Sequence, residues 1–306
     1  MAGLKTVVVC CGVLAGANVM NNVVAKRWAP LTSAVATGVL LGVARREGLR
    51  NEEIGFERLR AGALIGGGLA AGVAAVYTVG IGLPRTRSLF RDERALALTR
   101  ARVLEEALLQ VPIGTVLLEE IAFRGVLPAL LSRSVRPRTA AALSSLLFGL
   151  WHILPALDMA RANPTITRLT TGDFDSLTDG DAGCDHSGSV VATANGTSGS
   201  IDPDPRARPA VDPTAEPISP ESEGEARYRH SPVDLTRLVA GTVIATSAAG
   251  AAFWELRRRG GLLAPALVHI ATNSFGYAAS RIARRIDARS NQEQNDARSN
   301  QEQNTE

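Results

Sequence analysis

With 306 residues, 33 basic and 30 acidic side chains, a net charge of +3 and a mean hydropathy of +0.07, the chain averages out between a soluble protein and a wholly apolar one. The basic excess is arginine, since Lys5 and Lys26 are the sole lysines, and it gathers beside apolar runs at Arg45 and Arg46, Arg133 to Arg138, Arg257 to Arg259, and Arg284 and Arg285. No aromatic residues are interleaved there to stack bases, which argues against nucleic acid as a partner and for anchors at a membrane surface.

Seven apolar runs follow in chain order, at 4–25, 31–44, 61–83, 111–131, 139–157, 235–256 and 262–282, most of them near the roughly 20 residues a helix needs to cross hydrocarbon. The first begins with Lys5 and contains Ala15-Gly16-Ala17, a pattern shared with cleaved leaders. We read it as a retained helix, because the later runs already commit the chain to a membrane. Cys10 and Cys11 lie inside it and Cys184 stands alone, so no disulfide framework or zinc knuckle is spaced out. The second run is short for a crossing and either begins nearer Trp28, as an interfacial anchor, or is re-entrant.

In the third run Gly62, Gly66, Gly67, Gly68 and Gly72 predict close helix packing. Between Arg85 and Gln110, apolar residues set among charges predict an amphipathic helix lying on the membrane or on partner helices. The segment 158–232 is rich in Asp, Thr, Ser, Gly and Pro and lacks apolar periodicity, which predicts a disordered insertion. Its Asn195-Gly196-Thr197 matches a glycosylation sequon that such a composition produces by chance. The tail carries a tandem duplication, 287–295 recurring as 296–304, and reads as low complexity. The expected fold is all-α, a polytopic transmembrane bundle of about seven to eight helices. Residues 1–110 form its N-terminal helices, 111–157 and 233–284 its core, 158–232 an insertion and 285–306 a polar tail.

Polar residues inside the runs carry the functional argument. Glu119, Glu120 and Arg124 sit mid-run, where each charge costs roughly 2.5–3.5 kcal/mol on insertion scales. Glu120 and Arg124 are one turn apart with the acid on the N-terminal side, the favoured orientation for an ion pair. Neighbouring helical residues point about 100° apart, so Glu119 is expected to be the less neutralised acid, free to face a polar cavity and exchange a proton. His152 follows in the next run, and His269 and Asn273 share a helix face in the last. His186 and His230 fall in the polar segment and are given no role. Singly, each group has a bland alternative: a Glu–Arg pair can join helices, and a buried histidine or amide can serve packing. Together, two acids, two histidines and an amide on three spans are the groups that activate water and stabilise an oxyanion.

The ordered motifs Glu119-Glu120-x-x-x-Arg124, Phe148-x-x-x-His152 and His269-x-x-x-Asn273 resemble the signature of the CPBP intramembrane proteases, which include CAAX endopeptidases and the bacterial Abi proteins. The resemblance covers roughly 111–157 and 235–282. It implies that Glu119 and His152 activate the attacking water, that His269 and Asn273 hold the oxyanion, and that Glu120 and Arg124 fix helix geometry. It implies an integral multi-pass protein of a bacterial cell membrane, partnered by lipid and by a peptide or membrane-protein substrate, with no nucleic acid. The insertion between the second and third motifs is longer than is usual in the family. A non-proteolytic membrane scaffold or regulator keeping the fold is the alternative, and a proton-coupled carrier is disfavoured because no second half with matching broken helices is visible. No cofactor is required. Zinc held by Glu119, His152 and His269 is the alternative, against which no His-Glu-x-x-His spacing is present and no acid remains as a separate base.

Overall fold

The computed structural model describes residues 2–90, 92–162 and 232–303, and these are helical with no strand among them. Helix α1 (Ala2–Val19) continues through a π turn, Met20–Val24, and a 3₁₀ turn, Lys26–Trp28, into α2 (Ala29–Arg46), where Pro30 sits in the first turn that tolerates it. Gly48 and Gly55, with φ of +70° and +101°, turn the chain on either side of a single helical turn, Asn51–Ile54. Helix α3 (Leu59–Gly82) follows, then α4 (100–131), α5 (Pro137–Trp151), α6 (Ile153–Ala162), α7 (Pro232–Gly260) and α8 (Leu263–Gln303).

Among the described residues four stretches are long and apolar enough to cross a membrane: Gly3–Val24, Asn51–Gly82, Pro137–Asp158 and Thr236–Gly260. The predicted runs at 31–44 and 111–131 fall within α2 and α4, and that at 262–282 lies in α8 from its second residue onward. Helix α4 is an inner element, for residues 118–128 are buried without exception and carry three charges that no lipid-facing helix would hold. The core joins α1, α2, α4 and α5 through Cys10, Leu14, Leu40, Leu118, Phe123, Leu127, Phe148 and Trp151. The Ser33 hydroxyl donates to the Gly114 carbonyl at 2.5 Å and pins α2 to α4. Helix α3 lies along α8, and Gly62 and Gly66 are the reason it can. A Cβ on Gly66 would stand 2.8 Å from the Ala264 carbonyl oxygen, and one on Gly62 would strike the Gly260 carbonyl.

Two expectations are revised. The amphipathic helix over 85–110 does not form as one piece. Short turns at Pro84–Arg87, Ser88–Phe90 and Glu93–Ala97 replace it, and Thr99 caps a new start by accepting the Arg102 N–H at 3.3 Å, so α4 begins eleven residues before its apolar run. Helix α6 runs to Ala162, past the predicted start of the insertion; the rest of that segment lies outside the described residues. The tail is helical through Gln303. From Tyr277 onward no Gly or Pro interrupts α8, and Ala, Arg, Gln and Glu favour the helix without needing an apolar face.

Candidate active site

Helix α4 widens twice, being π-helical over Glu106–Leu117 and Ile121–Val126, with α-helical turns at Leu118–Glu120 and Leu127–Leu131. Pro112 sits inside the first π stretch. It has no N–H to give an α-helical ladder, so a locally widened turn suits it. Glu119 and Glu120 lie between the two π stretches, and both are buried with Arg124.

His152 follows α5, where φ of −83° and ψ of 0° end the helix. Its Nδ1 stands 2.8 Å from the Phe148 carbonyl oxygen. A carbonyl can only accept, so Nδ1 carries a proton and Nε2 is the nitrogen turned toward the acids. That Nε2 lies 3.9 Å from Glu119 Oε2. His269, early in α8 and buried, places Nε2 3.6 Å from the same Glu119 oxygen and Nδ1 2.8 Å from Glu120 Oε1. The two adjacent acids thus meet opposite nitrogens of a single imidazole, Glu120 at hydrogen-bonding distance and Glu119 farther off.

Glu120 also meets Arg124, with Nη1 to Oε1 at 3.4 Å. The expected pair is present, but His269 is the nearer partner of that oxygen. The guanidinium is carried mainly by aromatic faces, 3.8 Å from the Phe148 ring centroid and 5.0 Å from that of Phe253. Phe148 also lies edge-on to His152 at 4.4 Å, and Phe253 is 5.3 Å from His269, so two rings from α5 and α7 wall the polar cluster. Asn273 is left outside it. One turn beyond His269 it is exposed, its amide 3.5 Å from the Thr272 hydroxyl. His186 and His230 lie outside the described residues.

One participant was hidden from the sequence. The Trp151 indole donates to Glu119 Oε1 at 2.8 Å. Its position beside His152 was the available signal, but a tryptophan ending an apolar run reads first as an interfacial anchor. Among the described residues no group of three His, Cys, Asp or Glu side chains is arranged to hold a metal ion. Glu119 Oε2 faces both Nε2 atoms, 3.9 Å from that of His152 and 3.6 Å from that of His269, too long for direct hydrogen bonds.

A family model described as type II CAAX prenyl endopeptidase Rce1-like matches residues 106–275, from the first π stretch of α4 to just past Asn273. No curated protein and no solved structure gives a significant match.

Proposed function

The chain belongs to the Rce1-like type II CAAX prenyl endopeptidase family, and from that premise we propose that it is a multi-pass intramembrane endopeptidase whose Glu119 and His152 activate water against a peptide bond. The observation that carries this reading is the position of Glu119 Oε2, facing both His152 Nε2 and His269 Nε2 while Oε1 is held by Trp151.

In this reading Glu119 takes a proton from water as its oxygen attacks the scissile carbonyl. The proton passes to the departing amine, leaving an acid and an amine as products. His152 Nε2 shares that proton. His269 Nε2–H is the oxyanion donor of this reading, with Nδ1 held at Glu120. Asn273, exposed one turn beyond His269, is the second donor this reading assigns. Substrates are membrane-associated or peptide chains. A CAAX tail is one member of that class, and prenylation is no requirement of the chemistry.

The experiment is a proteome-wide comparison of new peptide termini in cells carrying wild type or Glu119→Ala at matched membrane abundance. A set of termini present with wild type and absent with the variant is expected. Identical sets would leave a non-proteolytic scaffold as the better reading.

A further inference from the structure

Trp151 is the last residue of α5, and it faces two ways. Its indole Nε1–H reaches Glu119 Oε1, with the ring buried edge-on against Phe123 at 5.7 Å between centroids. An indole N–H can only donate, so the contact secures one named carboxylate oxygen and leaves the other toward the histidines. The Trp151 carbonyl, at a helix end, has no acceptor role within α5. Asn18 of α1 fills it, Nδ2 donating at 3.0 Å.

Because that carbonyl only accepts, the Asn18 amide nitrogen must face it, and the amide oxygen turns to Asn22. Asn22 Nδ2 lies 2.6 Å from Asn18 Oδ1 and 2.9 Å from the Asn18 carbonyl oxygen. A directional chain of donors thus runs from Asn22 through Asn18 and Trp151 to Glu119. Amides in an apolar span are costly unless bonded, and this network accounts for two of them. Asn18 and Asn22 precede residues 106–275, so the matched family segment does not contain them.

We propose that Trp151 and Asn18 are positioning residues for Glu119, the indole fixing one carboxylate oxygen and the amide of α1 holding the indole in place; the role rests on the catalytic reading of Glu119. Two measurements on the full chain in detergent test it. Tryptophan occurs only at positions 28, 151 and 254, so ¹⁵N-indole labelling gives three side-chain signals, and Trp151→Phe assigns one by removing it. Glu119→Ala is expected to move the Trp151 signal while Trp28 and Trp254 stay. An unmoved Trp151 signal overturns the proposal.

The second measurement uses an internally quenched peptide that wild type cleaves and Glu119→Ala does not. Trp151→Phe should lower kcat about 10- to 100-fold with KM and membrane abundance unchanged, and Asn18→Ala should lower kcat by about tenfold. Trp151→Phe within twofold of wild type, or a loss confined to KM, overturns the proposal. Wild type that cleaves no peptide while the indole signal still responds to Glu119→Ala overturns the protease reading and leaves the contact standing.

Discussion

Glu120 is the residue at which structure most changes the expected division of labour. Its pairing with Arg124 was legible from the one-turn spacing, but its shorter contact to His269 Nδ1, 149 residues away, was not, because periodicity describes one helix and says nothing of what crosses to another. Removing one partner of a buried pair costs about 3–5 kcal/mol. Arg124→Leu should therefore deplete the protein from the membrane fraction on immunoblots. A double neutral replacement, Glu120→Gln with Arg124→Met, should recover abundance without recovering cleavage, since His269 has lost its carboxylate. Recovery of both would return Glu120 to a purely structural role. Arg124→Lys should also fail, for an ammonium cannot lie flat on Phe148. Cleavage by purified protein is expected to survive a strong zinc chelator with the metal content checked. Activity that vanishes and returns with stoichiometric zinc would replace water activation by Glu119 and His152 with metal chemistry.

Helix α4 shows what an apolar run does and does not announce. Its central charges marked the site because they are costly in such a place, and its burial followed from its hydropathy. The pitch changes left no trace, since Ile121 to Val126 would be as apolar in an α-helix as in a π-helix. The start at Arg100 was likewise hidden, a threonine cap among charges looking like more of the same surface helix. Glycines in α3 were legible as packing residues, yet only the structure separates those that touch. Gly66 faces Ala264 directly, whereas a Cβ added at Gly67, Gly68 or Gly72 would meet nothing within 4 Å. Gly66→Val should push α3 from α8, displace His269 five residues beyond Ala264, and lower cleavage and thermal stability together. Gly68→Ala should leave cleavage unchanged and raise stability by up to about 1 kcal/mol, as an exposed helical Gly→Ala change does. Equal effects at both positions would show that the α3–α8 approach is not what holds the site.

At the scale of the whole molecule, the all-α membrane class was legible from segregated hydropathy, and the polar cluster drawn from three helices was legible as residues costly within those runs. The helical tail was not, because low sequence complexity hides helix propensity. Deleting residues 296–304 should leave membrane insertion and peptide cleavage within twofold of wild type, since residues 291–303 are exposed along α8. A larger loss would mean that the extension acts on the catalytic bundle. Helix α8 has 41 residues and so measures about 60 Å, twice the roughly 30 Å of hydrocarbon it stands beside. Nine residues are two and a half helical turns, so the second copy of the repeat begins about 13.5 Å further out and faces the opposite side. Arg289 and Arg298, equivalent by sequence, point away from each other. Duplicating the unit therefore builds no single stripe; it lengthens the helix, and copy number sets reach.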